Sequence, residues 1–309
     1  ITKEELERRE ARQLAPWASR SAASRGRSWE DEADPFRTCF LRDRDRLLHS
    51  GALRRLQLKT QVLCVSQGDH YRTRLTHTLE VYQMAQSAAV ALGLNSELAQ
   101  AVALAHDLGH TPFGHAGERT LAGLMAGEGG FSHNAQAARL VDHLEHRSPA
   151  YPGLNLTFET RRSLLKRLPP AGFPLAADLA GEQAGPPPAE ALVVDLVDGA
   201  AYLHHDLDDA LRTGLVAPEE VEAVALWREA REELAGLGRA GGGPGQVTQV
   251  LARMIKLANQ DMIHETDRAM AGGAGAFRPR HSPAVAARLE ELRAFLHHHF
   301  YRHPKVTRV

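Results

Sequence analysis

Residues able to do acid–base or metal chemistry are concentrated in one short segment. The stretch LAHDLGHTPFGHAGE, residues 104–118, holds three histidines, an aspartate and a glutamate in fifteen positions. Its dipeptide His106–Asp107 comes at the end of an apolar run, just before Gly109. Burying a carboxylate and an imidazole there is costly unless a partner neutralises them. A helix end with a capping histidine would have the same local sequence, so other segments must decide its meaning.

Two other segments supply matching side chains. His77 lies in RTRLTHTLE, on the helix predicted before the His106–Asp107 helix. In VVDLVDGAAYLHHD, Asp198, Tyr202 and Asp206 recur every four residues, which places them on one face of a helix. A solvated polar stripe has the same spacing, but apolar residues surround this one.

Together these segments form a mixed set of two imidazoles and two carboxylates. The set suits Mn²⁺, Fe²⁺, Co²⁺, Ni²⁺ or Mg²⁺ better than structural zinc, which prefers thiolates. With four protein ligands, an octahedral ion keeps two positions for water or a phosphate oxygen. The pattern therefore favours a hydrolytic metal site made of His77, His106, Asp107 and Asp198.

The elements that must position these residues are predicted to be helices. Alternating strand-type runs are scarce, whereas 3.6-residue periodicity recurs. Residues 75–93 place Leu79, Tyr82, Ala85 and Ala89 along one stripe, and Gly93 ends the pattern.

Further helices follow from capping signals and periodicity. One starts at Asn95 or Ser96 and is stopped by Gly109, the next begins near Ala116, and others cover 189–211 and the tail SPAVAARLEELRAFLHHHFY. The predicted fold class is all-α, without an internal repeat.

Composition bounds the remaining choices. The chain has 309 residues, 43% hydrophobic and 24% charged, and its formal net charge of −1 gives no global attraction to nucleic acid or membrane. No apolar run approaches the roughly 20 residues of a membrane-spanning helix, and the first residues lack the apolar core of a signal peptide. Cys39 and Cys64 are expected to be reduced thiols, which predicts a cytoplasmic protein without membrane association.

The expected organisation is a polar N-terminal arm, residues 1–28, followed by one helical domain, residues 29–309. Three Gly- and Pro-rich stretches, near 171–190, 236–246 and 270–282, are predicted loops. None has the length or composition of an interdomain tether.

Several segments together resemble a known family. RTRLTHTLEV, HDLGHTPFGHAGE, FSHNAQ and VDGAAYLHHDLDD are similar to the deoxynucleoside triphosphate triphosphohydrolases, the bacterial dGTPase-like branch of the HD-domain phosphohydrolases. The resemblance extends from about residue 29 to the end, including DPFRTCFLRDRDRLLHSGALRRLQLKTQV and FYRHPKV. It implies an HD-domain helical fold with additional C-terminal helices, the core covering about 50–215 and the C-terminal part about 216–309.

The resemblance also implies a role for each candidate residue. The metal ligands would be His77, His106, Asp107 and Asp198, and His115 with Glu118 would act at the α-phosphate. Arg74 would contact phosphate, and His110 and His133 would line the phosphate pocket. Tyr202 and Asp206 would read the deoxyribose, Tyr202 by leaving no room for a 2′-hydroxyl, and Gln61 would touch the 3′-hydroxyl. Gly199 stands where many members carry a charged residue.

The function expected from this resemblance is metal-dependent hydrolysis of deoxynucleoside triphosphates, dGTP among them, to deoxynucleoside and tripolyphosphate. Mn²⁺ or Mg²⁺ is the expected cofactor, with Fe²⁺, Co²⁺ and Ni²⁺ as alternatives. The family also predicts a homo-oligomer, with single-stranded DNA or a second nucleotide as an effector.

Two rival functions stay open. One is an HD-domain nucleotidase acting on monophosphates or guanosine tetraphosphate. The other is a non-catalytic protein that senses nucleotides or binds single-stranded DNA through the basic segments RDRDR and LRRLQLK. An intact set of His115, Glu118 and metal ligands argues against the second, because binding alone needs no proton donor.

Overall fold

The protein is all-α, as predicted. The computed structural model describes residues 1–60, 72–165, 177–179, 185–238, 245–271 and 276–307. Within these ranges β structure is limited to isolated bridges, such as the one between Thr60 and Thr73. Gln61 and Cys64 lie outside the described residues, and Cys39 is a free thiol. No helix in the described ranges is both long enough and apolar enough to cross a membrane.

The α-helices run along the whole chain. They are α1 (Lys3–Gln13), α2 (Cys39–Leu48), α3 (Gly51–Arg55), α4 (Arg74–Ala91), α5 (Ser96–Ala105), α6 (Gly114–Leu124), α7 (His133–Arg139), α8 (Phe158–Ser163), α9 (Ala189–Arg212), α10 (Pro218–Val221), α11 (Ala225–Gly236), α12 (Gln246–Met270), α13 (Pro283–Leu296) and α14 (Pro304–Thr307). Wider π-type turns cover Leu140–Leu144 and His297–Tyr301.

The chain divides into two compact units. The first comprises residues 1–61 and 73–194, and the second comprises 62–72 and 195–309. In the first unit α5 packs between α2 and α4, and its core contains Leu47, Leu56, Leu104 and Leu108. In the second unit α11 packs against α12 and α13. The predicted boundary at residue 28 and the single helical domain after it stay predictions.

Helix α4 carries the first candidate ligand on its buried face. Thr73 caps it, its hydroxyl accepting a hydrogen bond from the Thr76 backbone. The buried face includes Arg74, His77, Val81 and Ala85. The predicted stripe was wrong at Leu79, which is 46% exposed. At 100° per residue, position 79 turns away from the face that His77 and Val81 share.

Helix α5 ends earlier than predicted. Asn95 caps it, as expected, by accepting from the backbone of Glu97 and Leu98. The helix stops at Ala105, and tight turns follow in which Leu108 donates to Ala105 and His110 donates to Asp107. His106 and Asp107 therefore lie on a turn and not inside a helix.

Hydrogen bonds tie the N-terminal residues to later elements of the first unit. After α1, the Ser19 backbone and hydroxyl both donate to Glu190, and the Arg25 backbone donates to Glu159. Asp43, which is fully buried, accepts from Arg27 at 2.6 Å. Its second oxygen accepts from the backbone and hydroxyl of Thr157 at 2.9 and 2.6 Å and from the Thr160 hydroxyl at 2.7 Å.

This network predicts a strong dependence of stability on Asp43. Asp43→Ala removes the nearest carboxylate of Arg27 and leaves the buried Thr157 backbone N–H without its acceptor, so the free energy of unfolding should fall by about 3–5 kcal/mol. Asp45→Ala on the same helix is the matched control. The partly exposed Asp45 carboxylate pairs with Arg37 and Arg44, and its loss should cost no more than about 1 kcal/mol. Urea unfolding measures both, and equal effects would contradict the assignment.

Candidate metal centre and catalytic histidines

Three predicted ligands meet in the first unit. His77 comes from the buried face of α4, and His106 with Asp107 from the turn after α5. Each offers one ligand atom, and these atoms all lie within 4.8 Å of one another. All three residues are buried. The arrangement can hold a divalent cation through two imidazole nitrogens and a carboxylate oxygen.

The hydrogen bonding of His106 fits that role. Its Nδ1 lies 2.6 Å from the Ala103 carbonyl oxygen. A carbonyl can only accept, so Nδ1 carries the hydrogen and Nε2 keeps the lone pair that a metal needs. The His106 ring stands edge-on to His77, with 5.6 Å between the ring centroids.

Asp107 is surrounded by positive or proton-donating groups. Arg74 Nη1 donates to Asp107 Oδ2 at 2.7 Å, and His110 Nε2 lies 3.2 Å from Oδ1. Burial alone would raise the pKa of Asp107, but His106, His110 and Arg74 outweigh it and hold that pKa well below its usual value. The carboxylate is thus ionised and available as a ligand.

Arg74 has a partner that the sequence did not indicate. It was predicted to contact phosphate, and here one end of its buried guanidinium pairs with Asp107. Its Nε has no hydrogen-bond partner among the described residues. The phosphate role stays a prediction, and the structure adds a role in neutralising the ligand carboxylate.

His110 links this centre to further histidines. Its ring stacks on His133, with centroids 4.0 Å apart, and approaches His115 at 5.6 Å. Burial lowers the pKa of His110 to about 4, so the ring is neutral at physiological pH. Its Nδ1 is buried and has no partner in the described part of the chain.

Glu118 holds the other two histidines. His115 Nδ1 donates to Glu118 Oε2 at 3.1 Å, while the His133 backbone and ring both donate to Oε1, at 2.9 and 2.7 Å. Burial would raise the pKa of Glu118, but the hydrogen bonds from His133 and His115 prevail and lower it to about 2. An ionised Glu118 fixes the hydrogen of His115 on Nδ1, which leaves Nε2 to face a ligand.

Gly109 allows the turn after α5 and the start of α7 to pack closely together. A Cβ atom on Gly109 would lie 2.0 Å from the His133 carbonyl oxygen and 2.4 Å from the Ala137 nitrogen. The start of α7 is therefore pressed against the turn that carries Asp107, and His133 is held beside His110. The sequence had suggested only that Gly109 stops a helix.

Lys59 was missed by the sequence analysis. Its Nζ donates to the carbonyl oxygens of Leu108 and His110, which fastens the turn after Asp107. Burial, followed by the charges of Arg74 and Arg55, lowers the pKa of Lys59 to about 8. Lys59 ends the segment LRRLQLK, and its spacing from the other candidate residues follows no pattern that would identify it.

The remaining predicted residues lie in the second unit, on α9. Asp198 and Tyr202 are half-buried, and Asp206 is fully buried. The Tyr301 hydroxyl donates to Asp206 Oδ2, and the Tyr202 and Tyr301 rings lie 6.3 Å apart. Burial and the nearby Asp206 raise the pKa of Tyr301, which keeps its hydroxyl a donor. The segment FYRHPKV is part of the family resemblance, but nothing in its sequence singles out Tyr301.

The fold and the His–Asp cluster define the class of protein. Residues 74–209 match the HD domain, a range that contains the three clustered ligands and both histidines held by Glu118. The chain accordingly contains an HD domain.

Comparison with known proteins narrows the family. The deoxyguanosinetriphosphate triphosphohydrolase-like protein of Ralstonia nicotianae is 43% identical over 310 residues, covering 96% of this chain and 79% of the relative. Proteins of the same description from Deinococcus radiodurans and Geobacter sulfurreducens are 44% and 41% identical, each covering 100% of this chain and 83% of the relative. The chain belongs to this family of deoxyguanosinetriphosphate triphosphohydrolase-like proteins.

Removing the central carboxylate should remove the metal. Asp107→Ala and the closer mimic Asp107→Asn should each lose bound Mn²⁺ while helical content stays nearly unchanged, because the apolar helices still pack. Metal analysis after loading and desalting, with circular dichroism alongside, measures this. His115→Ala is the control and should keep its metal. Full Mn²⁺ occupancy in both Asp107 variants would contradict the assignment of Asp107 as a metal ligand.

Proposed function

We propose that the protein hydrolyses deoxynucleoside triphosphates to a deoxynucleoside and tripolyphosphate in a metal-dependent reaction. The observation that supports this most is the arrangement in the first unit. There a His–Asp ligand cluster and a proton-carrying histidine, oriented by an ionised glutamate, are joined through His110. The names of the relatives support a guanine deoxynucleotide substrate.

His77, His106 and Asp107 would hold the divalent ion, with Asp198 as the fourth ligand predicted from the sequence. Their nitrogen and carboxylate donors suit Mn²⁺ or Mg²⁺, with Fe²⁺, Co²⁺ and Ni²⁺ as alternatives. When bound, such an ion supplies positive charge that stabilises the developing charge on the phosphoryl oxygens.

The protein's own residues account for the proton transfer. Water attacks the α-phosphorus and forms a new P–O bond, while the bond from phosphorus to the 5′-oxygen breaks. The attacking water releases one proton to solvent. The departing 5′-oxygen takes one from the doubly protonated form of His115, whose Nε2–H faces the substrate while its Nδ1–H stays bonded to Glu118. Glu118 orients the ring by accepting from Nδ1.

The phosphate chain needs convergent donors. Tripolyphosphate carries about four negative charges, so several cationic or N–H groups must surround it. Arg74 is the proposed phosphate contact, and His110 and His133 would line the pocket. The Nε–H of Arg74 is buried and has no partner within the described ranges, so it can donate to a phosphate oxygen. The neutral His110 ring carries its hydrogen on Nε2, beside Asp107, so its Nδ1 is an acceptor for a ligand hydroxyl or an ordered water.

Sugar recognition is assigned to α9. Tyr202 would pack against the deoxyribose and Asp206 would accept from the 3′-hydroxyl, with Gln61 as a further contact. Tyr301 supports this reading, since its hydroxyl bond holds the Asp206 carboxylate in one orientation.

The non-catalytic, polyanion-binding alternative is weakened by the ion pairs of its basic segments. In RDRDR, Arg42 and Arg46 pair with Asp31, and Arg44 donates to Gln100 and Asp45. Arg55, in the second basic segment LRRLQLK, pairs with Glu145. The nucleotidase alternative, the homo-oligomer, the DNA or nucleotide effector and the cytoplasmic location stay predictions.

Product analysis tests the proposal. The Mn²⁺-loaded protein is incubated separately with the four deoxynucleoside triphosphates and with GTP, and the products are separated by ion exchange. Tripolyphosphate is expected from deoxynucleotides, and release of monophosphate or orthophosphate alone would contradict the reaction. His115→Ala should bind metal and substrate but lose at least about 100-fold in turnover. Turnover within a few-fold of the parent would make His115 structural.

The sugar assignment predicts separate effects along α9. Tyr202→Ala should narrow the preference for dGTP over GTP. Asp206→Ala should raise the KM for dGTP. In that variant, replacing dGTP by 2′,3′-dideoxy-GTP should lower kcat/KM little further. The parent should reject the dideoxy substrate by roughly 10- to 100-fold, because a buried acceptor left unpaired costs about 1–3 kcal/mol.

The matched control for this experiment is Asp208→Ala. Asp208 lies on the same helix and pairs with Arg72 and Arg212, away from the face shared by positions 198, 202 and 206. Steady-state kinetics should show parent-like sugar selectivity for this variant. Unchanged selectivity in the Tyr202 and Asp206 variants as well would remove sugar recognition from this helix.

A further inference from the structure

Phe113 has an unusual backbone conformation. It precedes α6 with φ 64° and ψ 27°, in the left-handed region, and Gly114 follows with φ 54°. A bulky side chain is disfavoured there, because its Cβ crowds the backbone. Such strain tends to persist where a function requires it.

The strain is not offset by burial of the ring. Phe113 is 56% exposed, so its phenyl group gains little from leaving water. The other described non-glycine residue with positive φ is Asn155, whose side chain bonds both the backbone nitrogen and oxygen of Trp29. The apolar phenyl ring of Phe113 cannot form such hydrogen bonds with the backbone.

The bonds of the surrounding turn would hold the left-handed backbone at position 113 even if a smaller residue replaced Phe113. The Thr111 hydroxyl donates to the Gly114 carbonyl at 3.0 Å, and the Gly117 nitrogen donates to the Phe113 carbonyl at 3.3 Å. Gly117 packs so closely that a Cβ atom would lie 2.1 Å from the Pro112 carbonyl oxygen. Glycine or asparagine at position 113 would therefore satisfy the turn at lower cost.

The turn joins two members of the histidine cluster. His110 and His115 have ring centroids 5.6 Å apart, and Phe113 lies between them in the chain. Two residues span at most about 7.6 Å between Cα atoms, so the Phe113 ring is within reach of a ligand bound at His115.

We propose that Phe113 is a substrate-binding residue whose exposed ring packs against the nucleoside part of the nucleotide while the histidines engage its phosphates. The inference rests on the proposed function and adds a contact for the planar base. Aromatic rings bind bases by stacking with little dependence on base identity, so Phe113 contributes affinity for all four deoxynucleotides.

The test separates nucleoside from phosphate. Binding of dGTP and of inorganic tripolyphosphate, with Mn²⁺ present, is measured by calorimetry in the His115→Ala background, where turnover does not consume the ligand. Adding Phe113→Gly should weaken dGTP binding by about five- to tenfold and leave tripolyphosphate binding within about twofold. Phe113→Gly in the otherwise unchanged protein should leave Tm unchanged or slightly higher, because the strain is relieved.

Controls keep the outcome interpretable. Phe36→Ala removes another exposed phenyl ring of the same unit and should change neither affinity. Phe113→Asn, which also tolerates the left-handed region, replaces the glycine variant if that variant folds poorly. Equal affinity for dGTP, or equal losses for dGTP and tripolyphosphate, would overturn the inference.

Failure of the proposed function has a different signature. A parent protein that binds dGTP with help from Phe113 but releases no tripolyphosphate would contradict the reaction and leave this inference standing. A His115→Ala background protein that binds tripolyphosphate but not dGTP would overturn the inference.

Discussion

A buried carboxylate is costly without compensating positive or proton-donating groups, and in the first unit such groups converge on Asp107. Arg74 and His77 reach it from one face of α4, three residues apart, while His106 and His110 flank it in the chain. Under the proposed function, the side chains that neutralise this buried carboxylate are also those that would meet the divalent ion and the phosphate.

That cluster depends on turns and close backbone contacts more than on helix faces. Ending α5 at Ala105 frees residues 106–110 to form a tight turn, which Lys59 fastens through two carbonyl groups. Gly109 then admits the start of α7. These contacts bring the His110 and His133 rings within stacking distance, whereas a continuing helix would have directed His106 and His110 along one line.

Much of this could be predicted from sequence because it is local. The periodicity and caps of α4, α5 and α9 identified the helices, and His77 was correctly placed on the helix that precedes His106 and Asp107. Leu79 was misjudged because the pattern was read from apolar residues alone, although Arg74, His77 and Thr78 belong to the buried face.

What escaped prediction depends on bonds between distant segments or between a side chain and the backbone. Tyr301 meets Asp206 across 95 positions, Arg74 meets Asp107 across 33, and Lys59 donates to main-chain carbonyls about 50 residues away. None of these has a periodic signal. The early end of α5 coincides with the bond between the His106 ring and the Ala103 carbonyl, a local contact that the dipeptide alone does not reveal.

The two carboxylates of the cluster differ in their surroundings, and the difference separates their roles. Asp107 is deeply buried beside an arginine and histidines, so its charge is available for a cation. Glu118 is less enclosed and accepts three N–H groups from His115 and His133, which uses its oxygens to orient rings. Because His115 is 60% exposed at its side chain while its Nδ1 is bound, its free edge is directed to whatever enters from solvent. One carboxylate thus favours holding an ion and the other favours positioning a proton carrier, a separation of functions that environment imposes on chemically similar groups.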